Sequence, residues 1–277
     1  MKTVNLLIIL LPTILFSNFI GMNNGARSIA MGDAFVALSD ESSAIFYNPA
    51  GLGNISHFDL IASRQKLYGI SDLYNDMIAI SFPSPFLRTG LAVQQIGLEN
   101  QYSEQILYLS IAGIIRPNSI PIRFGGSAKY ESVTVKNYQN AIVNNPSSLD
   151  LDLGILIDVT ENLFFGYSIK NLLEPEFKFI SISNKLNKIH TMGICYNWRS
   201  SVNFLADYIW TDTDSQWNLG SEIWFFDVFA ARLGMYNERL TAGFGLKSKK
   251  WSVDSAILTH NELGSTYRIS FGLKVGR

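Results

Sequence analysis

From His57 to its end the chain is built almost wholly of short runs in which apolar and polar residues alternate, a period of two that commits it to β-strands. About fourteen such runs, each roughly nine to twelve residues long, stand between turn signals. In 149–159 one face reads Leu149, Leu151, Leu153, Ile155, Ile157 and Val159, and the other carries Asp150, Asp152, Gly154 and Asp158. The closing run sets Tyr267, Ile269, Phe271, Leu273 and Val275 against Arg268, Ser270, Gly272 and Lys274.

Alternation alone leaves open which face is inside, because a soluble sandwich has the same pattern. The connections point to a barrel. They are read as tight near 83–88, 116–121, 159–162, 198–201, 226–228 and 247–250, and as longer near 68–75, 97–104, 131–148, 171–187, 211–216, 236–239 and 258–265. Short and long connections in alternation, an even strand number and both chain ends on the short-turn side match a barrel of the bacterial outer membrane. The expected fold class is therefore all-β: a transmembrane antiparallel up-and-down β-barrel of about fourteen strands, with both termini periplasmic and outer-membrane lipid as its first partner.

Composition agrees with that reading. Only 16% of residues are charged, against roughly 25% in an ordinary soluble domain, as expected if half of each strand meets lipid. A net charge of −1 provides no basic field for nucleic acid. Trp210 and Trp217 fall near the long-connection ends, and Trp198 and Trp251 near the short turns, where interfacial belts belong. The longest apolar run, 106–115, is too short for a transmembrane helix and contains Ser110. Cys195 is the single cysteine, so no internal disulfide can form.

The polar faces would line a lumen with Asp59, Arg123, Lys129, Asp150, Asp152, Lys170, Asp207, Glu222, Arg232, Asp254 and Arg268, alongside many Gly and Ser. Apolar positions on the same parity are Ile61, Met77, Ile96 and Leu156, the expected apolar contacts inside. A barrel of this size is wider than its own side chains can fill, so something must plug it.

The front of the chain supplies the plug. Residues 1–17, with Lys2 ahead of an apolar run broken by Pro12, read as a secretory signal cut at Ser17, with Gly21 as the other site; a spanning helix would need about 20 residues. Residues 18–56 are assigned as an N-terminal hatch in the lumen and 57–277 as the barrel. Within the hatch, a helical turn is expected over 28–37. A compact turn is expected at Asn48-Pro49-Ala50-Gly51, where proline biases Asn48 toward extended geometry and Gly51 is free to take positive φ.

These residues resemble the FadL-like outer-membrane proteins, and more closely their PorV/PorQ-like branch. The matching positions are Gly25-Ala26-Arg27, Met31-Gly32, Ala34 to Ala37 with Phe35, Asp40, Ala44 and Asn48-Pro49-Ala50-Gly51-Leu52. Weaker similarity runs through Gly166 to Pro175, Leu240 to Lys247 and the closing 267–277. The resemblance implies a fourteen-stranded barrel closed by a hatch that contains Asn48-Pro49-Ala50, and passive passage of a hydrophobic small molecule from outside. Its alternative is a type IX-like secretion role, in which the connections at 131–148 and 171–187 bind a secreted protein. The chain departs from the type in being short and in closing on Gly276-Arg277 instead of an aromatic residue.

No enzymatic site is expected, nor a metal or cofactor. His57, His190 and His260 are far apart, and His190, on an apolar face near a long connection, reads as an interface residue. Asp33, Asp40 and Glu41 lack the ligand spacing of a calcium loop, and 25–32 lacks the Gly-Lys-Ser/Thr ending of a phosphate loop.

Overall fold

The computed structural model describes residues 24–84, 86–136, 145–178, 183–259 and 264–276. The expected signal segment 1–17 with both expected cleavage sites, residues 18–23 of the expected hatch, parts of the 131–148 and 171–187 connections, His260 and Arg277 lie outside the described residues.

Sixteen strands follow in chain order: β1 (Phe58–Lys66), β2 (Leu73–Phe82), β3 (Arg88–Leu98), β4 (Tyr102–Ile115), β5 (Ile122–Val135), β6 (Ser147–Asp158), β7 (Leu163–Lys170), β8 (Glu176–Lys178), β9 (Ser183–Lys185), β10 (Ile189–Trp198), β11 (Val202–Trp210), β12 (Ser215–Phe225), β13 (Phe229–Tyr236), β14 (Arg239–Lys247), β15 (Trp251–Leu258) and β16 (Thr266–Val275). Fourteen of them close into one antiparallel barrel, each beside its neighbour in sequence, while β8 and β9 form a separate hairpin. Closure comes from β1 on β16, with Phe58 opposite Val275, so the first and last strands begin and end at the same rim. No backbone edge is left open in the wall, the condition for a β-structure to cross hydrocarbon.

Burial decides the question that alternation left open. On β6 Leu149 is 68% exposed while its neighbour Asp150 is 1% exposed. The apolar faces look outward on strand after strand, through Leu109, Phe204, Leu233, Phe244 and Ile269, and the polar faces look inward. A continuous apolar exterior around a polar interior inverts a soluble protein and fits a wall set in lipid. Leu233, midway along β13 and 65% exposed, should therefore resist charge: Leu233→Lys is expected to cost about 2–4 kcal/mol in lipid vesicles. The same change at Leu240, beside the rim turn, should cost about 0–1 kcal/mol. Equal costs in urea unfolding would rule out this depth assignment.

The short-turn rim matches the sequence reading. The opposite rim differs in two places. Residues 97–104 and 236–239 hold tight turns: only 99–101 separate β3 from β4, and Asn237 and Glu238, at φ 42° and 66°, join β13 to β14. Two consecutive left-handed residues make the turn whose twist matches paired strands, so two residues suffice without glycine. On that side the hairpin of β8 and β9 folds over the rim, packing Phe177 and Leu186 onto Val133, with Tyr102 and Val135 alongside.

Candidate functional site

Residues 24–56 lie inside the barrel. Helix α1 (Ala26–Ala30) and helix α2 (Ala44–Tyr47) are each little more than a turn, followed by a 3₁₀ turn at Pro49–Asn54. The helical turn expected over 28–37 thus starts earlier, at Ala26, and stops at Ala30, where Gly32 at φ 66° reverses the chain. Elements this short have no stability of their own and depend on the wall.

The wall meets them through side chains aimed at the segment's backbone. Asp207 Oδ2 accepts from the N–H groups of Phe35 (2.8 Å) and Val36 (3.0 Å), and Asp59 Oδ1 from that of Ser42 (3.0 Å). Ser270 Oγ accepts from Ala26 N, and Thr241 Oγ1 from Gly32 N. These bonds give wall partners to the first amide of α1 and to amides of the irregular backbone around it.

Asn48 is the reciprocal contact. Its extended backbone (φ −150°, ψ 100°) is what a residue before proline prefers. Its Nδ2 donates to Val36 O (3.0 Å) within the segment and to Ile155 O (2.9 Å) on β6, and its Oδ1 accepts from Ala50 N (3.2 Å). Aspartate could not donate either of the first two bonds. Gly51 corrects the sequence reading: it does not take positive φ, and is glycine because a Cβ would lie 2.5 Å from Ser39 Cβ and against Ser39 O.

A ring of inward-facing wall glycines completes the fit. A Cβ on Gly125 would lie 2.5 Å from Ala50 N, and one on Gly154 would strike Asn48 Oδ1. A Cβ on Gly166 would lie 2.5 Å from Val36 O, one on Gly220 would strike Met31 O, and one on Gly234 would strike Gly32 N. They stand opposite one another across the strands, as Gly125–Gly154, Gly166–Gly193 and Gly220–Gly234. The segment's backbone runs against the wall's backbone, an approach only glycine permits. Of the other residues singled out in the segment, Gly25 at φ 88° opens α1, Met31 is buried, and Phe35 meets Tyr47 edge-on at 5.2 Å.

Charges hold the opposite side. Arg27 binds Glu222 through two bonds, Nε to Oε2 (2.8 Å) and Nη2 to Oε1 (2.9 Å), and its Nη1 lies 2.6 Å from Asp40 Oδ1 and 3.3 Å from Glu41 Oε2. Glu222 also receives Arg232 Nε at 2.8 Å, and Arg232 Nη1 is 2.8 Å from Asp254. Burial pushes the Glu41 carboxyl up to about 7 in spite of Arg27, and pushes Asp33 up to about 6 although the Tyr47 hydroxyl donates to it.

The segment leaves a void on each side. A lower cavity of about 470 Å³ opens among the short turns and includes Arg27, Asn54, Leu156 and Trp251 in its lining. An upper cavity of about 240 Å³ lies toward the other rim, lined in part by Phe46, Ile106, Tyr108, Ile189 and Ile209. Of the expected apolar contacts, Ile61 and Met77 pack beneath the segment in the buried core, Leu156 lines the lower cavity, and Ile96 is half-buried on the inner face of β3. Phe46, Ile106 and Tyr108 were not singled out from sequence. Parity could have found the two strand residues, since both share the inward face with Glu104.

Outside, Trp210 stacks on His190 at 5.1 Å and Tyr208 on Trp210 at 5.5 Å, while Tyr167 OH lies 2.8 Å from His190 Nδ1. This is an aromatic patch at the upper rim, where a lipid interface is expected. Among the described residues, no group of three or more His, Cys, Asp or Glu side chains is arranged to hold a metal ion.

The barrel has solved counterparts. The CymD monoaromatic hydrocarbon channel superimposes with a TM-score of 0.66 at 11% identity, over 91% of this chain and 98% of that one. The toluene transporter TbuX of Ralstonia pickettii gives 0.62 at 12% identity, over 94% and 100%, and a FadL homologue of Pseudomonas aeruginosa gives 0.61 at 9%, over 90% and 98%. At such identities the likeness is one of fold: the chain has the closed fourteen-stranded architecture of the FadL-like barrels. No protein-family model matches the chain, and no curated protein matches it in sequence.

Proposed function

We propose that this FadL-like barrel is a passive outer-membrane conduit for hydrophobic small molecules, with both termini periplasmic, residues 18–56 as its hatch and 57–277 as its wall. The observation that carries the reading is the divided lumen: one docked segment separates an upper cavity with an aromatic and aliphatic side from a lower cavity open among the short turns. The shared fold with barrels titled as monoaromatic hydrocarbon channel and toluene transporter supports it. A solute arriving from the upper rim meets Ile96, Ile106 and Tyr108, and on the far side of the hatch it meets Leu156. Ile61 and Met77 act on passage indirectly, as the surface on which the hatch rests.

Liposomes containing the barrel should admit toluene faster than empty ones; equal rates would end the conduit reading. Replacing the contact at the hatch turn tests the hatch itself. Asn48→Ala removes three hydrogen bonds worth about 1 kcal/mol each and should raise leak of a small solute into the same liposomes. Leak equal to that of the unaltered protein would remove Asn48 from the hatch.

A further inference from the structure

The upper cavity carries chemistry that a plain hydrocarbon would not use. Four carboxylates line it, those of Asp33, Glu131, Asp152 and Asp214, against the two ammonium groups of Lys129 and Lys170. Lys129 Nζ lies 2.8 Å from Asp150 Oδ2, 2.9 Å from Asp152 Oδ1 and 3.1 Å from Glu131 Oε1, and donates to Asn171 Oδ1 at 2.7 Å. An ammonium has three protons, so four acceptors compete for them.

The two aspartates have other donors. Asp150 Oδ1 accepts from Leu173 N at 2.9 Å and Asp152 Oδ1 from Asn171 N at 3.0 Å. Glu131 has only Lys129, at its Oε1: it is 0% exposed, and among the described residues nothing reaches its Oε2. A separate side chain shows the same deficit. Gln94 is 1% exposed, lines the same cavity, and its Nε2 has no partner among the described residues. The strand register sets Gln94, Ile106 and Glu131 side by side on β3, β4 and β5. A buried donor and a buried acceptor left unpaired on either side of an apolar residue cost free energy that a matching ligand recovers.

We propose that the upper cavity binds an arylalkylamine, whose positively charged nitrogen donates to Glu131 Oε2 while its ring lies against Ile106 and Tyr108. This rests on the conduit reading and narrows its solute from hydrocarbon to hydrocarbon bearing a cationic donor. The aromatic faces of Phe46 and Tyr108, packed edge to face at 5.2 Å, favour a cation beside them, and the excess of carboxylates opposes an anion. Gln94 Nε2 is free to donate to the ring face or to an acceptor substituent on it.

The test is calorimetric titration of the full-length barrel in detergent with 2-phenylethylamine, its uncharged analogue ethylbenzene, and benzoate. The amine should bind roughly tenfold more tightly than ethylbenzene, the size of one charge-assisted hydrogen bond, and benzoate should bind least. Glu131→Gln should abolish the amine's advantage. Equal binding of amine and ethylbenzene, or an advantage that survives Glu131→Gln, would overturn the proposal. Should that variant not fold, Ile106→Phe narrows the cavity without touching a charge, and undiminished amine binding in it would overturn the proposal equally. Passage of ethylbenzene into liposomes is measured alongside: no passage with amine binding intact removes the conduit and leaves this site standing.

Discussion

Gly154→Val should open the barrel. The added side chain has no free rotamer, because its Cβ alone, placed by the backbone, would overlap Asn48 Oδ1 and sit 3.1 Å from Pro49 Cδ. The strand cannot retreat either, since at Gly154 β6 is paired on both sides, with Gly125 on β5 and Ser168 on β7. The segment must yield, giving up the Asn48 bond to Ile155 O and its seat on Gly125. Overpacking of about 1–3 kcal/mol adds to about 1 kcal/mol for each bond lost, enough to displace residues 48–54 while the outer ladder stays closed. Planar-bilayer recordings should show a steady ion current absent from the unaltered protein. Gly126→Ala is the control, because it lies next to Gly125 on the outward face and its Cβ would meet only Leu153 Cδ2 at 3.3 Å and Asp152 O at 3.5 Å. A closed Gly154→Val barrel would mean that the glycine ring does not seat the segment.

The glycines show where sequence reasoning reached and where it stopped. A strand with lipid on one side and a polar interior on the other must alternate, so Leu149 to Asp158 announced both its faces, and Asp59, Asp207, Glu222 and Arg268 all lie inside as parity required. Parity could not say what each inward residue would face. Ile61 and Met77, expected as apolar contacts in the lumen, pack in the buried cluster with the segment and not against a void. The turn at Asn237-Glu238 is grouped from sequence with the longer connections, but both residues take the left-handed region, which asparagine tolerates better than most, and two residues suffice. The link from Arg27 to Glu222 joins positions 195 apart in the chain, and no local pattern reports a contact formed only by closing a barrel around its own N-terminus.

That link should be the other large effect. Arg27 is the cation that joins segment to wall on the β12–β13 side, and Glu222, fully buried, shares its oxygens among Arg27, Arg232 and the Asn203 amide. Arg27→Ala leaves Glu222 with Arg232 and the neutral amide of Asn203, and leaves Glu41 buried with no cation within 4 Å among the described residues, a loss of about 3–5 kcal/mol for a buried pair broken on one side. Asp40→Asn, at a carboxylate 40% exposed to solvent, should cost no more than about 1 kcal/mol. Adding Glu222→Gln to Arg27→Ala should cost less than the sum of the two single changes, because the second change removes the charge that the first stranded. Thermal unfolding of the four proteins measures that coupling, and strict additivity would show that the two groups do not act as a pair. Limited proteolysis then separates the two holds on the segment. Without Arg27, cleavage should appear first around α1, where Glu222 had held it, and spare 48–54, which Asn48 and the glycines keep seated; Gly154→Val should reverse that order.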